Sequence, residues 1–182
     1  CIRDSNKGLM KLPMPSTRVF QTIGIDLLGP MPLSLKGNRW CLTIVDHFSH
    51  WPILVPLPNK EAQTIAEAIF MHVICEHGGF ERMLSDRENT LAAPVVAALL
   101  RLVKAKRLFT SALHPQTNGA TERCHRWMNA ALRTYASLSP TSRDWETSLK
   151  IAEFAYRTST LTNTEYTPFY ICLLYTSDAA DE

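Results

Sequence analysis

Apolar and polar positions along the chain change rhythm several times. Gln21–Leu28 alternates with a period of two: Ile23, Ile25 and Leu27 share one face and Asp26 takes the other. That is the pattern of a half-buried strand. Gly29–Pro30 stops it, and Lys36–Gly37–Asn38 signals a turn. Trp40–Val45 is almost wholly apolar, as a strand covered on both faces would be. Asp46–His47–Phe48–Ser49 turns the chain. Trp51–Leu57 then reads as a third strand, and Pro52 and Pro56 make it an edge or irregular strand.

The rhythm next becomes helical. In Glu61–His77, Ala62, Ile65, Ala66, Ile69, Phe70 and Val73 fall at the spacing of one buried helix face, and Gly78–Gly79 closes the segment. Phe80–Leu84 is a short strand ending at Ser85–Asp86. Pro94 fits the first turn of a helix running to about Val103, and Lys106–Thr110 is a further strand. Pro115–Gly119 is a loop by composition. The segment Thr121–Leu138 predicts a two-faced helix. Cys124, Trp127, Met128, Ala131 and Tyr135 take one side; Glu122, His125, Arg126, Asn129 and Arg133 take the other. Ser139–Pro140–Thr141 breaks it, and Trp145–Tyr156 predicts a last helix. Residues 1–19 read as a linker. Strands come first and helices then interleave with short strands, so the fold class is α/β with a mixed sheet.

The composition supports this. The chain has 182 residues, of which 46% are apolar and 20% charged, so a packed core is expected and wholesale disorder is excluded. Its apolar runs are far shorter than the roughly 20 residues of a membrane-spanning helix, so no membrane partner is expected. No signal segment opens the chain. The five cysteines are odd in number and scattered, which argues against a disulfide framework and for a reducing compartment. The net charge of +2 neither demands nor excludes a nucleic-acid partner; without the last eleven residues the balance is 19 basic to 14 acidic, or +5. The first residue is Cys1 rather than Met, so a fragment is expected.

Three carboxylates stand out by placement. Asp26 lies on the non-core face of the first strand, Asp86 just past a strand end, and Glu122 on the polar face of a helix after a Gly-containing loop. Strand ends and helix starts are where α/β sheets display functional side chains. Carboxylate oxygens suit hard divalent cations, and two ions about 3.5–4 Å apart clamp the attacking and leaving oxygens of a phosphodiester. Each residue also has a plain structural reading: Asp86–Arg87 as an ion pair at a turn, Glu122 and Arg126 as an i, i+4 surface pair, and Asp26 as a turn cap. Asp46, which also follows a strand, reads as a turn cap. Lys104, Lys106 and Arg107 read as a solvated basic edge.

Five separated words change the balance: Gly24–Ile25–Asp26–Leu27–Leu28–Gly29–Pro30, Val45–Asp46–His47–Phe48–Ser49, Leu84–Ser85–Asp86–Arg87, His114–Gly119 with Glu122–Arg123, and Ala152–Tyr156, with 35 residues between Asp86 and Glu122. In this order they resemble the integrase catalytic core of gypsy-type LTR retrotransposons, which is related to retroviral integrases. The resemblance covers residues 12–171 and implies a ribonuclease-H-like fold, a five-stranded mixed sheet flanked by helices. By the resemblance, Asp26, Asp86 and Glu122 are the catalytic and metal-holding triad, and two Mg²⁺ or Mn²⁺ ions are the cofactors. The implied activity is DNA integration: 3′-end processing of element DNA, then strand transfer into target DNA. DNA is the implied partner, a homo-oligomer the implied assembly, and the nucleus the implied place of action. Gln116, Asn118, His125, Arg126, Asn129 and Arg133 are candidate DNA contacts, being polar or cationic beside Glu122.

Residues 1–11 resemble the remnant of an upstream zinc-binding module with its linker, and Cys1 alone cannot build a zinc site. Residues 172–182 resemble the translation of a transposase-derived sequencing adapter. There are departures from the family pattern. Glu88 stands where Gly is usual, Asn118–Gly119 where Asp–Gly is usual, and His125 where Asn is common. Two alternatives stay open: a decayed or host-adopted copy that binds DNA without catalysis, and a transposase or nuclease of the same superfamily.

Overall fold

The computed structural model describes residues 15–85, 93–109, 119–136, 144–161 and 165–177, excepting the side chains of 109, 119–122, 132–136 and 174–177. The alternating segment becomes the middle of a sheet. Strand β1 (Thr22–Leu28) pairs antiparallel with β2 (Trp40–Asp46), and β2 pairs antiparallel with β3 (Pro52–Leu57). On the other side of β1, β4 (Arg82–Ser85) and β5 (Lys106–Phe109) join in parallel. The order β3-β2-β1-β4-β5 is a mixed five-stranded sheet. Strand β3 lies at an edge, where its two prolines cost no ladder bond on the outer side.

Parallel neighbours need crossovers, and helices supply them. Helix α1 (Ala62–Ile69) runs into a π-wound turn, Phe70–Ile74, and a last turn α2 (Cys75–His77). Together they connect β3 to β4. Helix α3 (Pro94–Leu102), with Pro94 in its first turn, connects β4 to β5. Ile65, Ile69 and Val73 are fully buried, against Ile23, Ile25, Leu42, Ile44 and Ile53 of the sheet. Phe70, expected on this stripe, is 40% exposed. It stands about 100° around the helix from Ile69, which carries it off the buried face.

The opposite sheet face is covered by α4 (Gly119–Ala136) and α5 (Trp145–Thr158). Met128 and Leu149 pack with Cys41 and Leu54; Cys124 and Tyr156 pack with Val45. Fully burying one such side chain contributes roughly 1.5–3 kcal/mol. A helix that the sequence did not predict, α6 (Pro168–Ser177), packs on α5 and sets Phe169 5.9 Å from the Trp51 ring. No described helix is long and apolar enough to cross a membrane.

Two buried acids of α5 pin the helix to the sheet side. Glu146 accepts from the Ser34 hydroxyl and from Asn38 Nδ2 at 2.9 Å, and Trp145 Nε1 donates to the Pro32 carbonyl at 2.8 Å. These bonds hold the β1–β2 connection down on the start of α5. Nearer the other end, Glu153 is 3% exposed. Its Oε1 accepts from Arg157 Nη2 at 2.6 Å and from the Leu54 N–H at 3.2 Å, and its Oε2 accepts from Lys150 Nζ at 2.8 Å. The Arg157 guanidinium lies 4.0 Å from the centre of the Trp51 ring and donates to the Pro52 carbonyl. Edge strand β3 is thereby bound to α5.

Candidate active site

Asp26 is the fifth residue of β1, and alternation turns it away from Ile23 and Ile25 toward the α4–α5 face. Its register partner there is Thr43 of β2. The Leu27 N–H donates to Asp26 Oδ1 at 2.8 Å, and His125 Nδ1 of α4 lies 3.2 Å from Asp26 Oδ2. The Asp26 side chain is 37% exposed and that of His125 15%. Helix α4 holds this position because Cys124 and Met128, on either side of His125, are anchored in the core.

Glu122 lies on α4 three residues before His125, one turn up the same helix face; its side chain is outside the described residues. Strand β4 is the parallel neighbour of β1, with Gly24 paired to Leu84, and it ends at Ser85. Arg107 Nε of β5 donates to Ser85 Oγ at 3.0 Å. Asp86 follows in the sequence and lies outside the described residues, as do Gln116 and Asn118. Among the described residues no group of three His, Cys, Asp or Glu side chains could hold a metal ion.

The remaining candidates separate. Arg126 is exposed and Asn129 half-buried on α4; Arg133 lies on α4 with its side chain outside the described residues. His125 was expected with them on an outward polar face, but it is turned to Asp26. The sequence put His125 on the Glu122 face of its helix, but nothing in it pointed to Asp26 as the partner. Of the basic trio at β5, Lys104 and Lys106 are exposed, while Arg107 is tied to Ser85.

The end of β2 carries a second polar group. Asp46 is fully buried, and its Oδ2 accepts from the Ser49 N–H at 2.8 Å and the Ser49 hydroxyl at 2.7 Å, which is the turn cap expected of it. Burial pushes its carboxyl pKa up. Burial, aided by His50, Arg123 and Arg82, pushes the adjacent His47 down to about 4. The unfolded chain therefore binds a proton at His47 more readily than the folded chain. The neutral ring's stability is fully present above about pH 6.5 and is lost as pH falls toward 4. Up to about 3 kcal/mol is at stake for such a shift. Asp46, shifted the opposite way, opposes the trend at the acid end. Thermal melts between pH 7 and pH 4 should show the loss, and His47→Gln should flatten it; an equally steep curve in that variant would refute the assignment.

The chain is 29% identical over 159 residues to the retrovirus-related Pol polyprotein from transposon 412 of Drosophila melanogaster, covering 87% of this chain and 13% of that protein. It is 25% identical over 162 residues to the Tf2-3 transposon polyprotein of Schizosaccharomyces pombe, covering 88% of this chain and 12% of the relative. It thus spans about an eighth of the curated relatives it matches. No family model matches it. Among solved structures, the catalytic core domain of BIV integrase is 18% identical, with a TM-score of 0.69 over 90% of this chain and 99% of that one. The HTLV-2 integrase catalytic core domain in complex with magnesium, in trimeric form, is 14% identical, with a TM-score of 0.69 over 86% and 98%. A simian T-cell lymphotropic virus intasome in complex with a PP2A regulatory subunit is 14% identical, with a TM-score of 0.74 over 88% and 56%. The chain is a homologue of retrotransposon Pol polyproteins and has the ribonuclease-H-like fold of retroviral integrase catalytic cores.

Proposed function

We propose that the chain is the catalytic core of a retrotransposon integrase, a polynucleotidyl transferase that trims element DNA ends and joins them to target DNA. The observation that carries this reading is the contact between Asp26 and His125, which brings the helix bearing Glu122 against the strand bearing Asp26. Strand β4, whose last residue precedes Asp86, lies alongside β1. Asp26 on its strand and Glu122 on its helix, with Asp86 next after Ser85 in the sequence, are the donor set that this reading requires.

Asp26 presents a part-exposed carboxylate, a hard oxygen donor of the kind divalent cations accept. In this reading Asp26, Asp86 and Glu122 hold Mg²⁺ or Mn²⁺. Bound there, the cations supply Lewis-acid chemistry that favours the attacking oxygen and the leaving oxygen of a phosphodiester. The chain's own contribution is position: β1 and α4 are packed elements, and Leu27 and His125 fix the Asp26 carboxylate. Water attacks first and frees a 3′-hydroxyl; that hydroxyl then attacks the target phosphodiester in line, so no covalent enzyme intermediate is needed. In this reading Arg126, Asn129 and Arg133 of α4 are the candidate contacts to DNA phosphates.

A labelled duplex carrying an element end, titrated with Mg²⁺ or Mn²⁺, should give metal-dependent cleaved or joined products. Retention of the DNA with no metal-dependent product would favour the binding-only alternative. The HTLV-2 neighbour's trimeric form and the neighbouring intasome support self-association. On this chain, Ile151 is 44% and Phe154 64% exposed on the outer side of α5, a place for a second copy. Phe154→Lys should lower the sedimentation-derived association constant at least about tenfold, an effect of about 1.4 kcal/mol; an unchanged constant removes α5 from the interface.

A further inference from the structure

We propose that His125 is itself a metal ligand, making with Asp26 a mixed nitrogen–oxygen site that prefers Mn²⁺ and similar transition ions over Mg²⁺. The inference rests on the reading of Asp26 as a metal-holding carboxylate and adds the identity of the cation. His125 Nδ1 and Asp26 Oδ2 are 3.2 Å apart. Two donors bound to one ion through bonds of about 2.0–2.2 Å, meeting near a right angle, are separated by about 3 Å. The pair is thus already spaced as neighbouring ligands of one cation. The geometry is also held in place. His125 stands between the buried Cys124 and Met128 on a packed helix, and the Leu27 N–H fixes the other Asp26 oxygen. Asp26 remains open enough to admit an ion and its waters, while the imidazole is mostly withdrawn from solvent.

Chemistry then sets the preference. Mg²⁺ demands oxygen donors and gives up water reluctantly. An imidazole nitrogen adds little for Mg²⁺ but strengthens binding of first-row transition ions. A site with this pair should discriminate between the two cations in a way that an all-carboxylate site does not.

The test uses the whole chain and the metals alone, without DNA. Mn²⁺ and Mg²⁺ affinities are measured calorimetrically for the unaltered chain, His125→Asn and Asp26→Asn, and bound Mn²⁺ is examined by pulsed electron paramagnetic resonance. The unaltered chain should show nitrogen modulation on Mn²⁺. His125→Asn should lose that modulation and about tenfold of Mn²⁺ affinity, with Mg²⁺ affinity shifted less than about threefold. Absence of nitrogen modulation in the unaltered chain overturns the proposal without recourse to any variant. An unchanged Mn²⁺-to-Mg²⁺ ratio in His125→Asn also overturns it, leaving the imidazole as a hydrogen-bonding support only. Asp26→Asn tells the two readings apart. If it loses both ions while His125→Asn keeps the ratio, only this inference fails; if it binds both ions undiminished, the carboxylate reading fails as well.

Discussion

Asp26→Asn, Asp86→Asn and Glu122→Gln should each keep the melting behaviour of the folded chain and lose strand transfer by more than about a thousandfold. The amides preserve side-chain shape and remove the negative charge that a cation requires. The cost is several kcal/mol of transition-state stabilisation, and each 1.36 kcal/mol is a factor of ten in rate. Asp26 sits on the central strand with its carboxylate part-exposed and its flanking residues Ile25 and Leu27 facing the other core. An amide there therefore disturbs no packed apolar contact. The measurement is a labelled-end joining assay run beside a thermal melt. Retained joining in Asp86→Asn would sink the assignment of that residue, whatever the other two variants do.

Glu153→Ala should destabilise the chain by about 3–5 kcal/mol, because it leaves a half-buried guanidinium without its counter-charge. One carboxylate serves the Arg157 guanidinium, the Lys150 ammonium and the Leu54 N–H, and it lies 3% exposed between α5 and β3. Removing it leaves the buried Leu54 N–H without an acceptor and the Arg157 guanidinium with the Pro52 carbonyl alone, while the exposed Lys150 turns to water. For a chain of this size, each kcal/mol lowers the melting temperature by about 2–4 °C, so a fall on the order of 10 °C is expected. Glu153→Gln keeps an acceptor for Leu54 and should lose less. Urea titrations should show a lower midpoint at unchanged slope. A loss below about 1 kcal/mol would mean that the group behaves as an exposed ion pair.

Much of the sheet was legible because local pattern and tertiary role agree there. Ile23, Ile25 and Leu27 alternate with Asp26, and the Cys41–Val45 stretch, apolar but for Thr43, is buried on both faces. The two-faced α4 was legible for the same reason through Cys124 and Met128. Helix α6 was not, because Phe169–Leu174 is apolar on all sides and presents no stripe to distinguish it from a tail. Glu146 and Glu153 were missed because an acid on a helix reads as outward-facing. Their burial depends on the distant Ser34, Asn38 and Leu54 as well as on the neighbouring Lys150 and Arg157. His125 was read by its charge type, whereas its role depends on the strand it meets. Of the candidate site, Asp26 and the helix carrying Glu122 could be placed from the sequence; their meeting point could not, since a one-dimensional pattern carries no crossing geometry.

The strand order β3-β2-β1-β4-β5 divides the sheet into a meander and a parallel half. The meander closes through short connections and meets a small entropic cost; the parallel half must wait for two helical crossovers to bring its ends into place. By this topology the strand with Asp26 is expected to find its β2 partner before it finds β4. The β1–β4 seam then closes after the meander, and a nascent chain that has only its first three strands exposes one raw edge of β1 to any other chain that offers a complementary strand.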